Sequence, residues 1–359
     1  MYQSNYVEIS RSALRQNALS VQQSIPVPVI GIVKCNGYGV TIFEAASAWQ
    51  AAGITMFGVS KPEEALKLRQ LGFQEDILLL CPVADIQVLD ELLKNDIILT
   101  VSSFENAAFY AKNAPKYPIR VHIAIDTGMG RFGIDWKDLA QAKAVYRLSQ
   151  FSFEGIFSHF SCAFEQEYRV TKRQLDRFLY ITQTLQAEGY CVGMRHIANS
   201  CAALRFPETM LDAVRIGSAL VGKLPVNAPI ALNNVGIFRA QVVDCKLLHP
   251  GDTTGYGGYC KLKKKTPAVV VALGKEDGFG VIAKPDQLRI LDFAVYLHRL
   301  LYMWLHPPYV IYKGKPLPIV GRIGNQYTLF DATDTNIKPG DLVEWNGNLM
   351  LSTCQRRFI

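Results

Sequence analysis

The sequence predicts an α/β protein, a closed (β/α)8 TIM-type barrel followed by a C-terminal all-β domain, and three observations predict it. Short β-branched apolar runs recur at Val29–Val33, Met56–Val59, Ile77–Leu80, Ile97–Val101, Ile119–Ile125, Phe153–Phe157, Cys191–Arg195 and Ala213–Ile216. Amphipathic stretches lie between them, such as Lys61-Pro62-Glu63-Glu64-Ala65-Leu66-Lys67-Leu68-Arg69, with Pro and acids in the first turn where a helix accepts them. After Leu224-Pro225 the pattern changes to alternating stretches, Gly236–Leu247, Pro267–Leu273, Pro318–Ile323 and Asp341–Asn346, separated by Gly, Asp and Lys turns. Continuous apolar strands alternating with helices read as a parallel sheet covered on both faces, and eight units in this length have the size of a barrel; an open doubly wound sheet is the alternative. The expected division is residues 1–230 for the barrel and 231–359 for the β domain.

The 359 residues suffice for two domains, and 49% hydrophobic against 19% charged residues excludes fibrous or disordered chains. The net charge of +7 is concentrated no more densely than Lys261–Lys265, a solvated turn rather than a nucleic-acid footprint. Eight cysteines without a CxxC pair point to reduced thiols and to no metal site. The most apolar window, Ile290–Tyr312, contains Asp292, His298, Arg299 and His306, so no membrane span is expected. The opening residues carry neither a basic n-region nor an apolar h-region, which makes the cytoplasm the expected compartment.

Barrel chemistry gathers at the carboxyl ends of the strands. The first run ends in Lys34-Cys35-Asn36-Gly37-Tyr38-Gly39, and a lysine in an apolar barrel mouth can serve as a Schiff-base nucleophile toward a carbonyl cofactor. The fifth ends in Asp126-Thr127-Gly128-Met129-Gly130-Arg131, the sixth in Ser158-His159, the seventh in His196-Ile197-Ala198-Asn199-Ser200 and the eighth in Arg215-Ile216-Gly217-Ser218. Each group alone reads as an ordinary strand end; five furnished mouths together read as a site. Ser200 and the backbone N–H groups near Gly217-Ser218 suit a phosphate, which barrels commonly bind on their late loops.

These residues carry a resemblance to the alanine racemase family, which uses pyridoxal 5'-phosphate on a barrel with a C-terminal β domain. Val33–Gly39 is similar to the family's cofactor-lysine motif V-K-A-N-A-Y-G and Asp126–Arg131 to its D-T-G-M-x-R. His159-Phe160, His196–Ser200, Arg215 with Gly217, Gly255-Tyr256-Gly257 and Pro318–Arg322 follow in family order. The resemblance implies that Lys34 holds the cofactor, that Tyr38, Ser200, Gly217 and Ser218 contact its phosphate, that His159 lies against its ring and that Arg215 hydrogen-bonds the ring nitrogen. It also implies a homodimer acting on a small-molecule amino acid. Lys34 is one base, Tyr256 of the partner subunit is the other, and Arg131 binds the substrate carboxylate. A guanidinium only donates, so the ring nitrogen opposite Arg215 stays unprotonated, a weaker electron sink that favours reprotonation over transamination.

The sequence departs from the family at several positions. The family's Met-Asp falls on Asn325-Gln326, and its corridor tyrosine and aspartate on Lys275 and Phe164. The lysine beside the arginine is Ala124, the C-terminal phosphate tyrosine has no equivalent, and the stretch between Gly278 and Val310 is longer and more apolar; within it Leu288–Leu305 is read as cover for the β domain, an exposed partner-binding patch being the alternative. Loss of the Met makes room and Asn325 adds a hydrogen-bonding group in the substrate wall. The expected activity is therefore interconversion of L- and D-alanine with a broadened range. The alternatives are a racemase for serine or a larger amino acid, and a cofactor-binding homologue without turnover.

Overall fold

The computed structural model describes residues 5–114, 118–281 and 290–359. The chain forms two compact units, one from Arg11 to Val235, the other built from Gly236–Ile359 together with the N-terminal strand β1, Asn5–Ile9.

In the first unit the strands are β2 Val29–Ile32, β3 Met56–Val59, β4 Asp76–Leu79, β5 Leu99–Val101, β6 Ile119–Asp126, the two-residue β7 Ile134–Asp135, β8 Phe151–Phe157, β9 Met194–His196 and β10 Val214–Ile216. One parallel sheet runs β10-β2-β3-β4 and another β5-β6-β8-β9, with β7 beside β6. Parallel bridges Leu78–Ile98 and His196–Ala213 join the two sheets at both edges, so eight strands close into a ring. The (β/α)8 barrel is the architecture present.

Helices follow the strands at Ile42–Gln50, Pro62–Gln70, Ile86–Lys94, Phe104–Asn113, Leu139–Tyr146, Arg169–Ala187 and Ser200–Arg205. Their caps are those the sequence supplies: Thr41, Asp85, Ser103, Asp138 and Asn199 each accept a backbone N–H from the first turn. The helix Arg11–Ser24 precedes β2. A fully buried Asn17 ties it to the segment after β10, accepting from Asn233 N at 2.7 Å and donating to Asn233 O at 3.0 Å. Trp49, Phe57, Leu68, Leu78 and Phe178 are fully buried and form part of the apolar core.

The sequence places the seventh strand at 191–195, whereas β9 begins at Met194. Gly193 explains the shift, because its φ of +64° and a backbone approach so close that a Cβ would lie 2.4 Å from Glu154 make it a turn rather than an extended residue.

The second unit is mainly antiparallel: β11 Gly236–Leu248, β12 Thr253–Thr254, β13 Cys260–Lys261, β14 Thr266–Val271, β15 Tyr309–Tyr312, β16 Lys315–Pro318, β17 Thr328–Asp331, β18 Leu342–Trp345 and β19 Gln355–Phe358. Its main sheet runs β16-β15-β18-β11-β1-β19, with β14 between β11 and β17. The division expected at residue 230 corrects at the other end of the chain: β1 pairs antiparallel with β11 and parallel with β19 and belongs to the β unit, not to the barrel. A single five-residue strand ahead of the first helix carries no sequence signal for which sheet it joins. The run Pro318–Ile323 is not a strand beyond the end of β16. The pairing here is the hairpin β15–β16, closed by Lys313-Gly314 at φ +49° and +81°, the left-handed pair such a turn requires.

Among the described side chains of the helix Ile290–Leu305, Phe293, Val295, Leu297, Leu300, Leu301, Tyr302 and Leu305 are all more than half exposed and do not supply the expected cover. Residues 288 and 289 of the same window lie outside the described residues. Among the described residues no helix is long and apolar enough to cross a membrane.

Candidate active site

The first unit gathers most of the candidate residues at the carboxyl ends of its strands. Lys34 follows β2 directly and is half-buried, with no carboxylate partner among the described residues. The next four residues wind left-handed, with φ of +54° at Cys35, +52° at Asn36, +65° at Gly37 and +55° at Tyr38. Three non-glycine residues in that region are strained, and such strain persists where the surroundings over-determine it. Two contacts do so. The buried Glu64 carboxylate accepts Cys35 N at 2.6 Å and Ser60 N at 3.2 Å, and Asn36 Oδ1 accepts Ile42 N at 3.0 Å.

The turn delivers Tyr38 onto Gly217. A Cβ at Gly217 would stand 2.1 Å from the Tyr38 hydroxyl, and Gly217 N donates to Ser200 Oγ at 3.2 Å. Tyr38, Ser200 and Gly217 therefore meet, and Ser218 follows at the start of a single 3-10 turn. Burial, then the nearby Cys35 and Glu64, raise the Tyr38 hydroxyl well above its ordinary pKa, so it stays a neutral donor.

Arg215 on β10 is buried without a carboxylate among the described residues. Its Nη1 donates to His196 Nδ1 at 2.7 Å and to His196 O at 3.0 Å; its Nη2 donates to Ser158 O at 2.6 Å, to His159 Nδ1 at 3.1 Å and to Ile197 O at 3.3 Å. Three carbonyl oxygens and two imidazoles thus replace the hydration that a buried cation loses. Burial, followed by the charge of Arg131, lowers Arg215 to about 9, which leaves it protonated at neutral pH. Its Nε–H has no acceptor among the described residues. His159 is held near 3 by burial and then by the charges of Arg215, Arg131 and Lys34, so it is neutral. Those three charges all bear on one imidazole, which places Lys34, Arg131, His159 and Arg215 in one neighbourhood.

Arg131 is presented by a loop that Asp126 shapes: its Oδ1 accepts Gly128 N at 2.8 Å, Met129 N at 2.9 Å and Gly130 N at 3.2 Å. Gly133, at φ +118°, lets the chain return so closely that a Cβ would be 2.8 Å from Asp126 N. Thr127 Oγ1 meets Ser158 Oγ at 2.8 Å and Arg177 donates to Thr127 O at 2.8 Å, fixing the loop from behind. Arg131 itself is exposed, and Ala124 is buried on β6.

Tyr256 and Asn325 lie in the second unit. Tyr256 heads a three-residue 3-10 turn between β12 and β13 and is 84% exposed. Its neighbour Tyr259 stacks under Arg322, 3.8 Å from guanidinium to ring centre. Asn325 O accepts Glu276 N at 3.0 Å, and the exposed Asn325 side chain stands beside Gln326, which donates to Glu276 at 3.0 Å. Leu349, near the position where the C-terminal tyrosine is absent, is buried in the unit's core.

Sequence reasoning missed Glu64 and His122. His122 sits mid-strand on β6, fully buried, with Nδ1 2.8 Å from His196 Nε2. The available signal was a histidine inside an otherwise apolar run, which ordinarily reads as a satisfied core residue. Among the described residues no cluster of His, Cys, Asp or Glu could hold a metal ion.

Residues 9–225 match the alanine racemase N-terminal domain and residues 235–355 the alanine racemase C-terminal domain. The chain belongs to the alanine racemase family. Its members are isomerases. Alanine racemase from Desulforamulus reducens is 31% identical over 88% of this chain and 91% of its own. An amino-acid racemase from Enterococcus faecalis is 34% identical over 76% of this chain but only 40% of its own length. The crystal structure of alanine racemase from Bacillus anthracis with bound L-Ala-P superposes at TM-score 0.84 with 26% identity, covering 100% of this chain and 96% of that one. The alanine racemase fold accounts for both units.

Proposed function

We propose that this chain is a pyridoxal 5'-phosphate-dependent racemase that interconverts L- and D-alanine as a homodimer, with Lys34 and Tyr256 of the partner subunit as its two bases. The observation that carries the reading is Arg215: a buried, donor-only guanidinium, satisfied by carbonyls and neutral imidazoles, with its Nε–H unpaired among the described residues. That donor fits the lone pair of a pyridine nitrogen. The Tyr38–Gly217–Ser200 cluster fits a phosphate for a related reason, since it gathers two hydroxyls and a backbone N–H, and any side chain at 217 would collide with the Tyr38 ring.

When bound, pyridoxal phosphate supplies a conjugated ring that acidifies the substrate's Cα–H. Lys34, at the end of β2, holds the cofactor through its amine and moves the proton on one face. Tyr256 delivers or takes the proton on the other, and its exposure leaves it free to reach beyond its own unit. Arg215 can only donate, so it would leave the ring nitrogen of a bound cofactor unprotonated, which would restrain electron withdrawal and favour return of the proton to Cα. Arg131 anchors the substrate carboxylate, and the neutral His159 offers a flat uncharged face.

The names of the relatives support alanine as substrate, and one relative is named for amino acids more broadly. Asn325 and Gln326 support a broadened range here, with serine turned over within about tenfold of alanine, or ~1.4 kcal/mol. The test incubates purified protein with L-alanine in deuterated water and follows optical purity. D-alanine carrying deuterium at Cα is expected, and borohydride should fix the cofactor on the Lys34 peptide. Cofactor fixed on any other residue, or L-alanine unchanged by loaded protein, would refute the proposal.

A further inference from the structure

We infer that His122, deep in the barrel and outside the ring of strand-end groups, is a positioning residue that sets the tautomer of His196 and through it the orientation of Arg215. The consequence for catalysis rests on the reading of Arg215 given above; the relay itself does not.

The inference follows from which atoms can donate. Arg215 Nη1 is 2.7 Å from His196 Nδ1, and a guanidinium has no acceptor, so His196 Nδ1 must be the accepting nitrogen. A neutral His196 then carries its proton on Nε2. That nitrogen is 2.8 Å from His122 Nδ1, which must accept, leaving the His122 proton on its own Nε2. The proton order runs consistently along the chain, held by the Arg215 donor at one end and by the His122 acceptor that His196 Nε2–H needs at the other. His196 is also stacked on Phe157, with ring centres 5.2 Å apart and planes within 10°, so its ring has one orientation.

The barrel is built to admit His122. Its register partner on β8 is Gly155, where a Cβ would lie 2.6 Å from the His122 Nδ1 and Cε1 atoms. The pairing of β6 and β8 shifts at this point, between Val121 and His122, the kind of irregularity that re-aims a side chain inside a sheet. Both histidines are fully buried, and burial holds both in the neutral form that the relay requires. Without an acceptor at His122, the His196 proton has no partner on Nε2. Moving it to Nδ1 would set a donor against the Arg215 guanidinium, turning the arginine away from its place.

Two variants separate this role from simple packing. His122→Asn places an acceptor oxygen near the position of Nδ1, whereas His122→Leu keeps bulk and removes the acceptor. Nitrogen-15 spectra of the imidazoles report the tautomer without turnover. The wild type should show His196 protonated on Nε2, retained in the Asn variant and lost in the Leu variant. In loaded enzyme the Leu variant should lose about tenfold in kcat with KM for alanine within about twofold, and the cofactor's absorbance maximum should shift. The Asn variant should recover most of kcat and the wild-type absorbance. A wild-type His196 protonated on Nδ1 overturns the relay even if the Leu variant fails to fold. Equal loss of kcat in Asn and Leu variants, with absorbance unmoved, overturns the positioning role. If wild-type protein bound no cofactor, the proposed function would fall, and the tautomer spectra would still decide the relay.

Discussion

The barrel mouth and the β unit treat their polar residues in opposite ways. Around β8, β9 and β10 most of the candidate groups are bonded to one another: Arg215 to three carbonyls and two imidazoles, Gly217 to Ser200, and Thr127 to Ser158. In the β unit, Tyr256 stands 84% exposed and the Asn325 side chain is exposed, while Gln326 makes a single surface bond to Glu276. Buried polar groups need partners and exposed ones do not, so the first arrangement fixes a geometry and the second leaves its residues available. On the proposed reading, the barrel's strand-end groups would hold the cofactor, and Tyr256 of the β unit would act in the partner subunit.

The contrast can be broken at its most consequential point first. Lys34→Ala should abolish both the covalent cofactor link and racemisation, while the melting temperature stays within a few degrees, because Lys34 has no ion pair among the described residues. Absorbance and thermal melts check both. Tyr256→Phe should cost at least about a hundredfold in kcat with unchanged stability, since Tyr256 is 84% exposed and its hydroxyl has no hydrogen bond among the described residues. A stability loss there would erase the distinction between the two regions.

Within the barrel, Gly217→Ala should weaken cofactor binding by at least about tenfold, because its Cβ would sit 2.1 Å from the Tyr38 hydroxyl and 2.5 Å from Tyr38 Cζ. Equilibrium titration with pyridoxal phosphate measures this. Tyr38→Leu combined with Gly217→Ala should recover less than additive loss if the clash is the cause.

The buried imidazoles also make a pH prediction. His122 and His159 are depressed from an ordinary value near 6.5 to about 3 in the fold. Between those values the unfolded chain binds more protons than the folded one. Stability is therefore complete above about pH 6.5 and declines as pH falls toward 3. Melting temperature against pH should show that slope, and His122→Asn, which removes one titrating group, should make it shallower. The smallest effect expected is on selectivity, where Asn325→Met should narrow the range toward alanine, read as the ratio of kcat/KM for alanine and serine.

Much of this was legible in the sequence because barrel chemistry concentrates at strand ends. Lys34 and His159 lie within two residues of the end of a strand, Arg131 and Ser200 sit on the loops just beyond theirs, and Arg215 lies within its own, so locating the strands located them. His122 was not legible. It lies in the middle of β6 and matters only through a partner 74 residues away, and only the β8 register, with Gly155 opposite, shows that room was made for it. The placement of β1 failed for a similar reason, since its partners β11 and β19 lie more than two hundred residues downstream. The exposed helix Ile290–Leu305 shows the converse limit: apolar composition implied burial, and the fold leaves those side chains open.

The central claim, that the barrel's Lys34 works with a tyrosine of the partner subunit, is tested most directly by mixing two inactive proteins. Lys34→Ala and Tyr256→Phe chains, unfolded together and refolded in equal amounts, should regain about a quarter of wild-type racemase activity, because half the dimers are mixed and each holds one intact site. Verified mixed dimers that remained inactive would contradict it and place both bases within a single chain.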